Sequence, residues 1–353
     1  MSKPTAIDIF CGAGGLSLGL RKSGFEIRLA ADNDATALET YRTNIGDHVF
    51  KCDLSTVRPS NLLKMAGLAP GECDLLAGGP PCQGFSVQRR GSDTDMRNVL
   101  VLHYFRVVKA IRPRFFLMEN VAGLMSNRGR AILDTIVAKA NRLGYVTQLQ
   151  KLDAADFGVP QHRVRAILVG ELVGAGQESE FKFPVGAVVP IKYRTVKDAI
   201  GDLPRPPLDG RSHWKFANHS REVRLSALNI ERLRCIPPGG GREHLPARLQ
   251  LNCHRNNPSH RHLDVYGRLA WNAPAGTITA RFDSFTRGRF GHPVDERSIT
   301  LREGARLQTF PDSFVFHGNR EEGARQIGNA VPPVLAAALG RAIFRAIQKN
   351  KIG

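Results

Sequence analysis

Residues 5–16 read TAIDIFCGAGGL, and this stretch decides the fold prediction. Residues 5–10 have the apolar pattern of a buried strand, a glycine-rich turn follows, and 16–22 open a helix. A strand, a glycine turn and a helix start in series suit a nucleotide-like cofactor, because bare backbone amides can approach it closely. The glycines are spaced G-x-G-G rather than G-x-G-x-x-G, so a plain strand-to-helix turn is the alternative.

The rest of the first half alternates short apolar segments with helical patterns. This alternation predicts an α/β fold with a doubly wound, Rossmann-like parallel sheet. The further predicted strands are 27–31, 74–77, 114–118 and 165–170, and the predicted helices are 36–44, 98–111 and 130–143.

From residue 181 onward proline and glycine become frequent and helical periodicity is lost. This composition predicts loops around a few strands, and regular helices are predicted again at 301–307 and 333–346. We therefore expect a second, smaller, loop-rich domain. The expected segments are a large lobe 1–180, a small lobe 181–297, a hinge region 298–324 and a C-terminal segment 325–353 that returns to the large lobe.

The charge of the chain is unusual, since 50 Lys and Arg against 32 Asp and Glu give +18. More than half of this surplus lies in 181–297, which holds 20 Lys and Arg and 10 Asp and Glu. The surplus indicates a polyanionic partner, usually nucleic acid, with a generically basic surface as the alternative. No apolar run approaches membrane-spanning length, and the first strand starts too early for a signal peptide, so we expect a reducing, intracellular setting.

Cys82 is the cysteine whose surroundings indicate chemistry. It lies in GGPPCQGFS, residues 78–86, directly after the apolar run 73–77. Prolines fix the backbone there and polar residues follow, which favours a nucleophile at the carboxyl end of a strand over a buried, inert thiol. The six cysteines form no C-x-x-C pair, so no zinc ribbon is indicated, and we also disfavour a metal site at Cys253, His254, His260 and His262.

Polar residues also follow the other predicted strands. Asp32 follows the second strand, where a carboxylate can bind both hydroxyls of a ribose. Asp53 follows a further short apolar stretch, with an ordinary helix cap as the alternative. Glu119 follows the strand 114–118; a carboxylate there more often caps or forms a salt bridge, but together with Cys82 it becomes a candidate proton donor.

Gln161, Arg163 and Arg165 alternate at a period of two as the chain enters a strand, so we expect them on one face. Two guanidiniums on that face favour an anionic or carbonyl-rich ligand, and an exposed, salt-bridged edge is the alternative. Further on, QIGNAVPP at 326–333 is predicted to be a tight turn that launches the last helix.

Together these segments resemble the C5-cytosine DNA methyltransferase family, in family order and over nearly the whole chain. DIFCGAGGLSLG (8–19) resembles the S-adenosylmethionine loop, ADND (31–34) the ribose-contacting motif, and GGPPCQGFS the nucleophile loop. MENV (118–121) resembles the proton-donor motif and QHRVR (161–165) the arginine motif. LREGARLQTFPDSF (301–314) and QIGNAVPP resemble the penultimate and closing motifs. One departure is Asn33, where many relatives have an aromatic residue that stacks on adenine.

The resemblance implies S-adenosylmethionine as methyl donor and a role for each motif. Cys82 would attack C6 of cytosine, Glu119 would supply a hydrogen bond or proton at N3, and Arg163 and Arg165 would hold O2. The expected cofactor-binding residues are Phe10, Gly12, Gly14, Gly15, Leu16, Asp32, Asn33, Asp53, Leu54, Pro80, Asn329, Ala330 and Val331. The expected DNA-contacting residues are Ser86, Gln88, Arg89, Arg90, Gln161, Arg255 and Arg281.

The resemblance also implies how the base reaches the thiol. A ring inside a duplex must be flipped out, at a cost of a few kcal/mol. Residues 80–99 resemble the mobile loop that closes over DNA, and we expect Gln88 to help occupy the vacated space. The basic segment 181–297 falls where the family carries its target-recognition domain, with DNA in the cleft between two lobes.

The sequence therefore predicts a DNA (cytosine-5)-methyltransferase of the prokaryotic restriction-modification type. We expect a monomeric, cytoplasmic, nucleoid-associated enzyme that acts on double-stranded DNA, pairs functionally with a restriction endonuclease, and needs no metal or membrane. A tRNA cytosine methyltransferase is the alternative within the class, and the large basic segment favours DNA. A catalytically silent DNA-binding relative would lack the nucleophile or the proton donor, and a NAD-dependent dehydrogenase is disfavoured by the incomplete glycine fingerprint.

Overall fold

The computed structural model describes residues 2–81, 99–174, 177–186, 193–222, 225–255 and 264–349. The chain divides into two compact units. The first unit comprises Met1–Phe157, Val164–Val188 and Val331–Gly353, and the second comprises Gly158–Arg163 and Val189–Ala330. Each unit is therefore built from segments that lie far apart in the sequence.

A seven-stranded sheet forms the centre of the first unit. In chain order its strands are β1 (Thr5–Ile9), β2 (Glu26–Asp32), β3 (Val49–Lys51), β4 (Leu75–Gly78), β5 (Phe115–Val121), β6 (Tyr145–Asp153) and β7 (Val164–Leu172). Their spatial order is β3-β2-β1-β4-β5-β7-β6, and β1 to β5 are parallel. The strand order reverses between β1 and β4, and such a switch point is where open α/β sheets bind their ligands.

β7 departs from the predicted parallel sheet, because it pairs antiparallel with both β5 and β6. Only a single turn of 3-10 helix, Ala154–Phe157, lies between β6 and β7 within this unit, and a parallel connection needs a longer crossover. β6 was not predicted from the sequence, since it is a half-exposed strand of mixed polarity. The antiparallel direction matters for the site, because it brings the start of β7 to the carboxyl end of β5.

The described residues of the first unit also form the α-helices α1 (Gly15–Lys22), α2 (Ala35–Asn44), α3 (Pro59–Ala66), α4 (Val99–Ile111), α5 (Asn127–Arg142) and, near the end of the chain, α11 (Pro333–Lys349). All but α3 were predicted from the sequence. The side chain of Asp34 caps α2 by accepting from the amides of Thr36 and Ala37, and proline begins α3. The core between these elements is apolar, with fully buried Tyr104 and Phe116 at its centre.

The second unit is built mainly from loops and short helices. Its helices are α6 (Val196–Ile200), α7 (Ala227–Cys235), α8 (Asn252–Arg255), α9 (Leu301–Leu307) and α10 (Arg320–Asn329). The few strands expected here are absent from the described part of the unit, which has only isolated bridges such as Gln161 with Ala275. The predicted turn at 326–333 is also wrong at its start, because α10 continues to Asn329.

Buried arginines replace a regular sheet as the source of hydrogen bonds in the second unit. Arg302 is fully buried and donates to the carbonyls of Ala217, Pro311 and Phe314. Arg297 forms two 2.8 Å bonds to the buried carboxylate of Glu303. Loop carbonyls that lack ladder partners must be satisfied in another way, and guanidinium groups supply several donors each. Part of the basic surplus therefore stabilises the unit internally.

The stretch Arg320–Lys349 is long and apolar enough to span a membrane by length and composition alone, contrary to the sequence expectation. However, 72% of its most apolar window is buried inside the protein. In α11 the buried face includes Leu335, Leu339 and Ile343, and α11 packs against α1. The apolar composition of this stretch is accounted for by core packing.

The contact between α1 and α11 depends on Gly19. A Cβ at this position would come within 2.4 Å of Ala336 Cβ and 2.5 Å of the Pro333 carbonyl oxygen. We predict that Gly19→Ala lowers the free energy of unfolding by roughly 1–3 kcal/mol, because overpacking outweighs the gain in helix propensity. Urea unfolding measures this change. Gly276→Ala is the matched control, since a Cβ there meets nothing within 4 Å, and equal stability of the two variants would contradict the prediction.

Candidate active site at the carboxyl edge of the sheet

The strand order brings four chain segments together at one edge of the first unit. β2, β1, β4 and β5 lie side by side and point the same way, so the residues that follow them meet at their carboxyl ends. These residues are Asp32 on β2, the glycine turn after β1, Gly79 and Pro80 after β4, and Glu119 on β5. Sequence reasoning placed the same segments at the same edge.

The glycine turn is tied to β2 by the carboxylate of Asp32. Its Oδ2 accepts from the Gly12 amide at 2.9 Å, and its Oδ1 accepts from the amides of Asn33 and Asp34. The backbone at Phe10 has φ 58°, which is uncommon for a large residue and is found most often at functional sites. Gly12 has φ 51°, and a Cβ there would meet nothing within 4 Å. The turn therefore borders open space in which a ligand could approach bare backbone.

The other predicted cofactor residues of this unit differ in exposure. Asn33 and Asp53 are exposed, whereas Leu16 and Leu54 are buried. Asp53 Oδ1 accepts from the amide and hydroxyl of Ser55, and these bonds lower the pKa of the carboxyl. Asp53 therefore carries a negative charge at neutral pH.

The base of the loop that leads to Cys82 is held by neighbouring strands. A Cβ at Gly78 would come within 2.3 Å of the Ile9 carbonyl oxygen on β1, so only glycine fits there. The side-chain amide of Asn120 on β5 donates to the carbonyl of buried Pro80 at 3.1 Å. The predicted residues Cys82, Ser86, Gln88, Arg89 and Arg90 lie outside the described residues.

Glu119 lies beside this loop base and forms an ion pair with Arg165. A Cβ at Gly79 would lie 3.3 Å from Glu119 Oε2, so the carboxylate faces the segment that leads to Cys82. Arg165 Nε lies 2.9 Å from Glu119 Oε1, and both side chains are largely buried. The N–H group does not point at the oxygen, so Oε1 accepts no hydrogen bond within the described part of the chain. The pair meets because β7 runs antiparallel to β5.

Gln161 and Arg163 belong to the second unit, whereas Arg165 belongs to the first. The Gln161 side chain is fully buried, donates to the Leu307 carbonyl and the Gln308 side chain, and accepts from the Ile278 amide. Both ends of its amide are thus used internally, and the structure does not support the predicted DNA contact. Arg163 is also buried and donates from Nη1 to the Ile278 carbonyl at 3.1 Å.

The remaining predicted positions lie in the second unit or, for Val331, directly after it in the sequence. Arg255 ends α8 and is exposed, whereas Arg281 forms ion pairs with Asp283 and Glu321. Asn329 ends α10 and is exposed, and the division between the units falls between Ala330 and Val331. The described residues contain no group of three or more His, Cys, Asp or Glu that could hold a metal ion, and His260 and His262 lie outside them.

Asp8, directly before the glycine turn, is a buried carboxylate that the sequence analysis did not single out. It is fully buried on β1, its Oδ2 accepts from the hydroxyl of Ser17 at 2.6 Å, and its Oδ1 has no partner among the described residues. Burial, reinforced by the charge of Asp32, raises the pKa of Asp8 to about 7 despite the bond from Ser17. The available signal was a carboxylate inside an apolar strand, directly before the glycine turn.

The seven-stranded sheet, with the glycine turn after β1 and the acidic end of β2 at one edge, is an α/β fold of the methyltransferase class. The family model of C-5 cytosine-specific DNA methylases matches residues 5–345. The chain belongs to this family and is a methyltransferase.

Its curated relatives are named as Type II methyltransferases. The chain is 34% identical to M.AgeI of Thalassovita gelatinovora, over 97% of this chain and 99% of that protein. It is 36% identical to M1.HphI of Haemophilus parahaemolyticus, over 97% and 87% of the two chains. It is also 36% identical to M.XorII of Xanthomonas oryzae pv. oryzae, over 99% and 87%.

Two solved structures share the fold. A putative DNA modification methyltransferase encoded within an E. coli prophage superposes with a TM-score of 0.72 at 28% identity, over 98% of this chain and 99% of that one. The Entamoeba histolytica methyltransferase EhMeth superposes with a TM-score of 0.67 at 16% identity, over 98% and 99%. The second likeness concerns the fold alone.

Asp8 makes the stability of the protein depend on pH. Because its pKa rises from 3.8 to about 7 on folding, the stabilisation linked to its protonated form is complete below pH 4 and is lost as the pH rises through 7. Asp8→Asn cannot ionise, so between pH 5 and 8 its free energy of unfolding should gain roughly 2 kcal/mol relative to the wild type. Urea unfolding at both pH values measures this. The surface variant Asp134→Asn should follow the wild type, and parallel pH profiles for Asp8→Asn would contradict the prediction.

Proposed function

We propose that this enzyme methylates C5 of a flipped cytosine in a specific duplex DNA sequence, with Cys82 as nucleophile and S-adenosylmethionine as donor. The contact that carries the proposal is the approach of the Glu119 carboxylate to Gly79, three residues before Cys82. An acid and a nucleophile loop on neighbouring strand ends can act on two positions of one small ring.

The chemistry of cytosine explains this arrangement. C5 is a poor nucleophile, so the Cys82 thiolate first forms a bond to C6 while N3 receives a hydrogen bond or proton from Glu119. The electron pair then available at C5 forms the new bond to the methyl carbon, while the bond from that carbon to the sulfur of the donor breaks and its electron pair stays on the sulfur. Loss of the C5 proton to a base returns an electron pair to the ring, the C6–S bond breaks, and the thiolate of Cys82 is regenerated.

Arg165 supports the proposed acid through its ion pair. By lying 2.9 Å from Oε1, its Nε restricts the Glu119 carboxylate and leaves Oε2 on the side of Gly79. We propose that this contact orients Glu119 toward N3. We retain the proposal that Arg163 and Arg165 hold the O2 oxygen, since guanidinium groups match carbonyl oxygens that gain charge during addition.

The residues at the carboxyl edge fit S-adenosylmethionine, which would supply an electrophilic methyl group when bound. Open space beside Gly12 admits a ligand against the backbone, and the Asp32 carboxylate can accept from ribose hydroxyls. The acidic side chains Asp32 and Asp53 also favour a ligand that carries positive charge. The proposed binding residues remain the expected set, from Phe10–Leu16 through Asp32, Asn33, Asp53, Leu54 and Pro80 to Asn329, Ala330 and Val331.

For DNA, we propose that Ser86, Gln88, Arg89 and Arg90 act at the flipped base and that Arg255 contacts phosphate. Arg255 is exposed, as a phosphate contact requires. Arg281 would first have to give up its ion pairs with Asp283 and Glu321, so we propose a weaker contribution from it.

The Type II names of the relatives support a further proposal, in which the enzyme is the modification partner of a restriction endonuclease. The basic surplus of the 181–297 segment supports its assignment as the target-recognition domain. We propose that the enzyme acts as a monomer, because one copy of the chain carries all the proposed catalytic residues. We also propose that it acts in the cytoplasm, where its DNA substrate would lie.

The covalent step can be tested on DNA that contains 5-fluorocytosine, where the fluorine cannot leave as a proton does. We predict that the wild-type enzyme is trapped on such duplexes as a complex stable to denaturing gel electrophoresis, and that Cys82→Ser is not. Cys253→Ser is the matched control, since Cys253 is an exposed free thiol far away in sequence, and it should still be trapped. Trapping of Cys82→Ser would overturn the proposed nucleophile.

Transfer of tritiated methyl groups tests the acid and the substrate. Glu119→Gln should lower kcat by about 10²–10⁴-fold, the usual contribution of general acid catalysis, and Arg165→Gln should lower it less. Arg130→Gln, which removes an exposed ion pair with Asp134, should leave kcat unchanged. Label should enter duplex DNA and not tRNA, and label in tRNA alone would refute the DNA substrate.

A further inference from the structure

A chain of four hydrogen-bonded side chains lies behind the glycine turn. The Ser17 hydroxyl on α1 donates to Asp8 Oδ2 at 2.6 Å, and the Tyr41 hydroxyl on α2 donates to Ser17 Oγ at 3.0 Å. Tyr41 Oη in turn lies 3.1 Å from His48 Nε2. We call Asp8, Ser17, Tyr41 and His48 the relay. It connects a buried carboxylate on β1 with a partly exposed histidine next to β3.

The relay can adopt two polarities. With Asp8 ionised, Ser17 donates to Asp8 and Tyr41 donates to Ser17, so His48 must carry a proton on Nε2 in order to donate to Tyr41. With Asp8 protonated, each hydroxyl can turn round, and Tyr41 donates to a bare Nε2. The protonation state of Asp8 therefore sets the tautomer of His48, about three hydrogen bonds away.

Tyr41 also supports the glycine turn mechanically. Gly14 has φ 95°, and a Cβ there would come within 2.7 Å of Tyr41 Cδ2 and 2.3 Å of Ile45 Cδ1. The buried tyrosine ring thus lies directly behind the backbone of the turn. A change in the hydrogen bonds of Tyr41 is therefore transmitted to the same backbone that we propose binds the methyl donor.

The inner end of the relay responds to charge. Asp8 Oδ1 is buried without a partner in the described structure, so a positive ligand nearby favours its ionised form. Neighbouring titratable groups also influence the pKa of Asp8 or are influenced by its charge. Burial is the main cause of the raised pKa of Asp8, and the charge of Asp32 adds to it. Burial also raises the pKa values of Cys11, Tyr41 and Tyr104, and the charge of Asp8 is a smaller cause in the same direction.

The outer end opens to the surface. His48 lines a cavity of about 410 Å³ together with Glu26, Arg28 and Lys64. Burial and the charge of Arg21 lower the pKa of His48, and Asp47 opposes this shift. The ring is therefore neutral near pH 7 and able to exchange protons with solvent in the cavity.

We infer that Ser17, Tyr41 and His48 are positioning residues of the methyl-donor site and couple donor binding to proton release at the surface cavity. This inference rests on the proposed cofactor site. Binding of a cationic donor favours the ionised form of Asp8, in which each hydroxyl of the relay donates toward Asp8. The proton of Asp8 passes through the hydroxyls of Ser17 and Tyr41 to His48 Nε2, and His48 releases its Nδ1 proton to solvent, so one proton leaves for each Asp8 that ionises.

Tyr41→Phe tests the inference, because it removes the hydroxyl and keeps the ring behind Gly14. The probe is S-adenosylmethionine in the absence of DNA, which carries the positive sulfonium charge, titrated calorimetrically at pH 6, 7 and 8 in buffers of different ionisation enthalpy. The wild type should bind more tightly as the pH rises and release protons near pH 7. Tyr41→Phe should bind about tenfold more weakly, since one buried hydrogen bond of the relay is lost.

The histidine supplies a readout that a merely structural tyrosine would not affect. In nitrogen-15 NMR spectra, the probe should shift His48 toward the Nε2–H tautomer in the wild type and leave it unmoved in Tyr41→Phe. His48→Phe, which keeps the edge-on ring contact with Tyr41 at 5.6 Å, should reproduce the weaker binding. Tyr145→Phe is the matched control: it removes a buried hydroxyl that donates to the Pro113 carbonyl, and it should behave as the wild type.

The outcomes distinguish a failure of the proposed cofactor site from a failure of the relay. If the wild type does not bind the probe, the proposed cofactor site is wrong and the relay has no ligand to respond to. If the wild type binds but its His48 signal does not move, or if Tyr41→Phe and His48→Phe bind as tightly as Tyr145→Phe, the relay alone is refuted.

Discussion

β4 has only four residues, yet its position between β1 and β5 fixes the spacing of the candidate active site. Gly78 lets its backbone pass close to the Ile9 carbonyl of β1, and Asn120 of β5 holds the Pro80 carbonyl at its exit. A larger residue at Gly78 would push β4 away from β1 and separate the glycine turn from the loop that carries Cys82. The proposed cofactor side and the proposed nucleophile side of the site therefore share one backbone contact.

The two units solve the problem of buried polar groups differently. The first unit satisfies its backbone with a seven-stranded sheet and then places a few carboxylates at the carboxyl edge or, at Asp8, inside the core. The second unit lacks ladders in its described part and satisfies loop carbonyls with buried arginines such as Arg268 and Arg302. A basic composition is thus partly a requirement of a loop-rich fold, and net charge alone overstates the charge available to a polyanion.

Local patterns predicted the elements that have strong local signals. The strand, turn and helix at 5–22 and the helix Leu301–Leu307 were predicted nearly to the residue, because apolar periodicity and capping residues lie within the segments themselves. In the first unit β3, α3 and β6 were missed: β3 has only three residues, and β6 is a half-exposed strand of mixed polarity. In the second unit the helices α6, α7, α8 and α10 were not predicted, because proline, glycine and scattered polar residues hide their periodicity. The family resemblance led to the prediction that Gln161 contacts DNA, and the alternation of Gln161, Arg163 and Arg165 shows a shared face but not whether that face is covered.

The sequence by itself determined the fold class, the family and the order of the chemical groups along the chain, because these follow from short motifs whose residues are neighbours in sequence. Only the tertiary structure decided which groups meet. The Glu119–Arg165 pair depends on the antiparallel direction of β7, and the Asp8–Ser17–Tyr41–His48 relay joins β1, α1, α2 and the approach to β3. Burial and hydrogen bonding between distant segments set the direction of strands and the pKa of Asp8, and neither quantity is encoded in any one stretch of residues.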